Sequence, residues 1–325
     1  MTDKTYLLPG AMGCIGAWVL RRLLDRGDTV VATDLSADPV RPRLLLSEDE
    51  IARIDWRHLD VTDTKAVADM VGETGTTHII HLAGLQIPFC RANPPLGAAV
   101  NVTGTVNIFE AARAHGVKGL VYASSLAALG PATMYDTWPL PDDAPPKPTT
   151  LYGVYKVANE ETARIYAADW GVGSVGLRPY VVYGVARDQG VTADCAKAIL
   201  AAAAGRPFHM RFSGNVAMQH AGDVADIFIG CADAEASDAH VCNLRNDVIA
   251  VSDFVAVLKD ICPEAKITIA PDADLPFPAD LSDAGLRDIL GDVPYTPLRT
   301  AIERDLEMYR SLIAENRIDL GQLDR

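Results

Sequence analysis

The chain has 325 residues, 49% of them hydrophobic and 22% charged, a globular composition that excludes a fibrous or disordered chain and allows one large domain or a domain with a smaller partner. Its formal net charge is -14 with a pI near 4.9, and its acids are scattered, which argues against nucleic acid as a partner. Six cysteines with no C-x-x-C pair, no basic-then-apolar leader and no apolar run of membrane-spanning length predict free thiols in a soluble cytoplasmic protein without a membrane partner.

In chain order, short apolar runs predict buried strands at T-Y-L-L before the first glycines, at Thr29 to Asp34, Ile54 to Asp60, His78 to Ala83, Gly119 to Ser125 and Ser174 to Pro179. Helix-length stretches separate them, the rhythm of a Rossmann-type doubly wound parallel sheet of the α/β class. Beyond Pro179 the rhythm weakens into turn-rich stretches, with a returning strand at His240 to Leu244. The expected division is a dinucleotide-binding Rossmann domain over 1–178, rejoined by segments near 215–245, and a smaller C-terminal substrate-binding lobe made mostly of 179–325. Prolines make Pro139 to Pro148 a surface loop.

Gly10, Gly13 and Gly16 follow the first strand and open a helical pattern. The first permits a tight turn, the second admits a pyrophosphate to the backbone, and the third lets helix and strand pack closely. Asp34 ends the second strand, where an acid accepts the adenosine ribose hydroxyls and repels a ribose phosphate; Leu35 and Ser36 supply no arginine for one. NAD is therefore expected over NADP, with Arg41 and Arg43 the residues able to fold back and weaken that preference.

Tyr152 and Lys156, four apart on a predicted helix, project from one face. An ammonium beside a phenol favours the phenolate, so the expected effect is a Tyr152 that ionises more easily. Ser124 and Ser125 end the strand Gly119 to Ser125 at the carboxyl edge where such sheets bind ligands. Serine, tyrosine and lysine then converge. His78 and His81, three apart on a strand, face opposite sides, and no metal site is expected.

With these residues the chain resembles the extended short-chain dehydrogenase/reductases, in particular their NAD-dependent epimerase/dehydratase group. P-G-A-M-G-C-I-G is similar to that group's T-G-G-A-G-F-I-G, H-L-A-G at His81 to H-L-A-A, N-V-T-G-T-V-N at Asn101 to N-V-x-G-T-x-N, and Y-G-V-Y-K to Y-G-x-S-K. The resemblance implies Ser125, Tyr152 and Lys156 as the catalytic set, with Tyr152 the acid/base and Lys156 also holding the nicotinamide ribose. It further implies a cofactor shell of Gly10, Gly13, Cys14, Ile15, Gly16, Asp34, Asp60, Val61, Leu82, Ala83, Gly84, Asn101 and Pro179 around NAD. A homodimer paired through the helices after Asn101 and Tyr152 is implied likewise.

The departures concern the substrate. Where nucleotide-sugar members of the group carry R-D-F-I-H-V-D-D-V, this chain reads V-A-M-Q-H-A-G-D-V, with Val216 at the arginine and Ala217 at the aspartate. A sugar diphosphate would lose a charge-assisted partner, though Arg211 stands close enough in sequence to substitute. The expected activity is NAD-dependent hydride transfer from a hydroxyl-bearing carbon of a small non-nucleotide sugar, sugar acid or polyol. The alternatives are a sugar epimerase and, less favoured, a dinucleotide sensor without chemistry. Gln86, Ser125, Leu126, Arg178, Arg187 and His220 are the candidate substrate residues.

Overall fold

The computed structural model describes residues 4–325. Twelve strands are present among them: β1 Thr5–Pro9, β2 Thr29–Asp34, β3 Asp55–His58, β4 His78–His81, β5 Gly119–Ala123, β6 Ser174–Arg178, β7 Val181–Tyr183, β8 Phe208–Met210, β9 Asn215–His220, β10 Ala239–Asn243, β11 Asp247–Ala250 and β12 Ile267–Ile269. Seven form one parallel sheet in the order β10-β6-β5-β4-β1-β2-β3. The order reverses between β1 and β4, which opens a crevice at the carboxyl ends of those strands.

Alternation along each strand separates two cores. Tyr6, Leu8, Val30, Ala32, Ile80 and Val121 face one side, where the helices Cys14–Arg26 and Ala221–Asp233 pack. Leu7, Val31, Ile79, Leu120 and Tyr122 face the other, under the helices Thr64–Thr74, Gly104–His115 and Leu151–Trp170. A parallel sheet covered on both faces needs such continuous apolar runs, which is why those segments are legible as strands.

The rest of the chain builds two small sheets. β9 lies between β7, to which it is parallel, and β11, to which it is antiparallel; β8 pairs with β12. The stretch 215–245 therefore divides, because β9 belongs to the small sheet whereas β10 joins the large one beside β6. Among the described residues no helix is long and apolar enough to cross a membrane, and no three His, Cys, Asp or Glu side chains cluster to hold a metal ion.

Candidate active site

The glycine turn forms because the chain must leave β1 and start a helix within four residues. Gly10 has φ +91, and a Cβ there would sit 2.5 Å from the Ala83 nitrogen; one on Gly16 would sit 2.4 Å from the Gly10 carbonyl oxygen. These two glycines press the turn against the end of β4 and the helix against the turn. Gly13 differs, since its missing Cβ would meet only the Gly10 carbonyl oxygen, at 3.2 Å. It caps the helix Cys14–Arg26 with no side-chain hydrogen bond, so the first N–H groups of that helix face the crevice, a setting that favours an anion.

A cavity of about 490 Å³ opens from this turn. Gly10, Gly13, Cys14, Ile15, Gly16, Leu82, Gly84, Ser125, Tyr152, Lys156 and Pro179, together with Gln86, Leu126 and Arg187, all line it. Residues just past the ends of β1, β4 and β6, from the end of β5, and from the loop after β7 thus meet at one sheet edge. Tyr180, Val191, Thr192, Leu275 and Phe277 are also in the wall. The last two come from a turn-rich stretch with no periodic signal, and sequence reasoning misses them. The Tyr180 hydroxyl is buried without a hydrogen-bond partner, and its ring meets that of Phe277 edge-on at 5.9 Å.

Lys156 is buried, and its Nζ donates to the Ala123 carbonyl at 2.6 Å while lying 5.4 Å from the centre of the Tyr152 ring. Burial pushes its pKa down to about 8. The Tyr152 hydroxyl is raised instead of lowered, against the expectation from its lysine neighbour. Desolvation of the phenolate is the largest cause; the Ser125 hydrogen bond and the Arg187 charge oppose it. The adjacent serines divide, for Ser124 donates to Glu160 whereas Ser125 faces Tyr152.

Arg187 carries the other positive charge of the wall. Its Nη2 donates to Thr192 Oγ1 at 3.0 Å, and its Nε is buried with no hydrogen-bond partner. Around Gly190, the position of a Cβ lies 3.4 Å from Gln86 Oε1 and 3.8 Å from Arg187 Nη2. A guanidinium edge and an amide thus gather in the cavity that also holds the Ser125 and Tyr152 hydroxyls, an arrangement suited to a carboxylate.

Other predicted residues take different places. Asp34 Oδ2 accepts the Met12 N–H at 3.1 Å, beside the glycine turn. Asp60 Oδ1 accepts from the Thr62 backbone and hydroxyl, and the Val61 carbonyl accepts from Asn107. Leu82 and Ala83 lie beneath Gly10. Asn101 stands behind the cavity: Oδ1 accepts the Leu85 N–H at 2.7 Å, and Nδ2 donates to the Leu85 carbonyl and Cys90 Sγ. It braces the Gly84–Leu85 turn.

Two substrate expectations are corrected. Arg178 is 3% exposed and donates Nε and Nη2 to the two oxygens of Glu160, at 2.8 and 2.7 Å, so it holds the helix Leu151–Trp170 to β6 instead of reaching substrate. His220 is buried between Trp18 and Tyr183 and pairs with Asp305 at 3.3 Å, away from the cavity wall. Arg211, the alternative diphosphate partner, is half exposed; its guanidinium pairs with Asp194 and donates to the carbonyl of Gly190 in the cavity wall. Val216 and Ala217 are fully buried in β9.

A doubly wound parallel sheet with a glycine turn at its switch point is the arrangement of dinucleotide-binding folds. The chain belongs to the NAD dependent epimerase/dehydratase family, which it matches over residues 6–244. UDP-glucose 4-epimerase of Mycolicibacterium smegmatis is 34% identical over 205 residues, 60% of this chain and 63% of the relative, so the match spans less than two thirds of that protein. Two solved structures share the fold: a UDP-glucose 4-epimerase from Thermotoga maritima with UDP-glucose (TM-score 0.81, 20% identity, 95% and 99% of the two chains), and a GalE-like L-threonine dehydrogenase from Cupriavidus necator in holo form (TM-score 0.80, 23% identity, 93% and 99%).

Proposed function

We propose that this chain is an NAD-dependent oxidoreductase acting on a hydroxyl-bearing carbon of a small non-nucleotide sugar acid or related hydroxy acid, with residues 1–178 holding the cofactor and 179–325 supplying most of the substrate wall. One observation carries the reading: Ser125, Tyr152, Lys156 and Arg187 share a single cavity with the glycine turn, while the position of a diphosphate-binding arginine is the buried Val216.

The residues fit NAD. Gly13 leaves room above an uncapped helix N-terminus for a pyrophosphate, and Asp34 stands where a ribose diol would lie. When bound, NAD supplies the hydride acceptor. Tyr152 takes the proton of the substrate hydroxyl as that carbon is oxidised, and Ser125 donates a hydrogen bond to the same oxygen as it becomes a carbonyl. Lys156 holds the cofactor ribose and offsets charge on Tyr152. Arg187 and Gln86 hold a carboxylate, which selects the sugar acid among the candidate substrates and fixes the reacting carbon under Tyr152.

The test is incubation with NAD and panels of uronic acids, aldonic acids, other hydroxy acids, free aldoses and polyols, following NADH absorbance and separating products. Net NADH with acids, and little with neutral sugars of the same stereochemistry, is the expected result. A second reading, a sugar epimerase, draws on the Mycolicibacterium relative; a new stereoisomer without net NADH would establish it instead. A homodimer is supported by Leu96, Leu151 and Val154, apolar side chains exposed on and beside the helix Leu151–Trp170, and molar mass by light scattering tests it.

A further inference from the structure

Of the two arginines after β2, Arg43 is taken up by Asp38 and Glu48. Arg41 instead reaches back to the glycine turn, where its Nη1 donates to the Met12 carbonyl at 3.1 Å. Asp34 accepts the N–H of the same residue. A cation and the ribose-binding acid are thus brought to the two ends of Met12. A phosphate on the adenosine ribose would lie between them.

The Arg41 charge does not stand alone. Its Nε donates to Asp188 Oδ1 at 2.9 Å, and both side chains are mostly covered, 22% and 31% exposed. Asp188 comes from the loop after β7, next to Arg187 of the substrate wall. It occupies the guanidinium edge that a phosphate would need, and it adds a second carboxylate to a place where a dianion already meets Asp34.

We propose that Asp188, through its ion pair with Arg41, sets the preference for NAD over NADP. The pair converts an arginine positioned to receive a 2′-phosphate into a neutral clasp between the β2 loop and the β7 loop. The inference rests on the placement of the adenosine ribose at Asp34 given above.

Isothermal titration of NAD and NADP into the full-length protein, with its Asp188→Asn, Asp188→Asn/Arg41→Met and Asp34→Asn variants, tests it. Thermal denaturation verifies that each is folded. The expected result for Asp188→Asn is NADP binding tightened about tenfold, the value of one charge-assisted contact, with a smaller change for NAD; adding Arg41→Met should cancel the gain. Unchanged NADP affinity in Asp188→Asn, or a gain that survives loss of Arg41, overturns the proposal. Asp34→Asn should weaken NAD about tenfold. If it does not, the ribose placement itself is wrong and both readings fall, an outcome distinct from failure of the Asp188 variants alone.

Discussion

Lys156 and Tyr152 face each other across 5.4 Å inside a buried pocket, yet the lysine's hydrogen bond goes to the Ala123 carbonyl, not to the tyrosine. The ammonium is held at the cavity wall, at a cost in desolvation that lowers its pKa from 10.5 to about 8. Below pH 8 the folded state bears that whole cost. Between 8 and 10.5 the unfolded chain keeps its proton while the folded one has lost it, so stability rises with pH through this window. Lys156→Met should therefore raise the melting temperature at pH 7 by several degrees while abolishing turnover, and it should flatten the rise. Scanning calorimetry at pH 7 and 9.5 measures both.

Tyr152 is the group whose ionisation should limit the rate. Burial holds its pKa above 10, and Arg187 is among the charges that pull it down. Tyr152→Phe should reduce kcat by about 10²–10⁴-fold with NAD affinity nearly kept. In the wild type, kcat/KM should climb with pH toward the tyrosine pKa. Arg187→Met removes a stabilising positive charge, so it should move that limb to higher pH and also raise KM for acidic substrates. A pH profile unmoved by Arg187→Met would separate this residue from the acid/base group.

The three glycines make different demands, and their variants should part accordingly. A methyl on Gly10 collides with the backbone of Leu82 and Ala83 and must adopt φ +91; Gly10→Ala should cost about 3 kcal/mol or more, or prevent folding. Gly13→Ala meets one carbonyl oxygen at 3.2 Å and has an ordinary φ of -74. Its melting temperature should stay within a few degrees of the wild type, while NAD affinity falls tenfold or more, because the new methyl lies where the pyrophosphate approaches. Equal loss of stability in both variants would remove the distinction.

The large sheet was readable because a strand covered on both faces leaves an uninterrupted apolar run, as Tyr6 to Leu8 and Ile79 to Ile80 do. The meeting of Tyr152 and Lys156 at the cavity was readable because its spacing is local: the two lie one helical turn apart. Arg178 was misread for the opposite reason. Its partner Glu160 is 18 positions away on another element, and nothing in the one-dimensional pattern marks a loop-flanking arginine as buried and paired. The same holds for His220 and Asp305, 85 positions apart, and for the wall residues Leu275 and Phe277, which only the three-dimensional course of a turn-rich segment brings to the cavity. Replacing Arg178 with Met should leave Glu160 buried and uncompensated, destabilising the fold by about 3–5 kcal/mol, with KM near the wild-type value in the folded fraction. Urea denaturation and steady-state kinetics on one preparation check it.

His81 couples the fold to acid. The Thr105 hydroxyl donates to the Asn101 carbonyl at 2.8 Å, so the contact between His81 Nε2 and that hydroxyl oxygen, at 3.1 Å, is donated by the ring. His81 Nδ1 is then a buried acceptor without a partner, and burial, with the Lys156 charge second, drives the imidazole pKa down to about 3. The folded state keeps His81 neutral, whereas the unfolded chain protonates it near 6.5. Its stability contribution is accordingly complete above pH 6.5 and is lost progressively as the pH falls toward 3. Thr105 and Asn101 join this histidine to the brace behind Gly84 and Leu85, so the neutral ring is part of what holds that brace in the folded state. Melting temperature should fall as the pH drops from 6.5 toward 4, and His81→Gln, which has no proton to gain in that range, should show a shallower decline. Parallel decline in the variant and the wild type would place the acid sensitivity elsewhere.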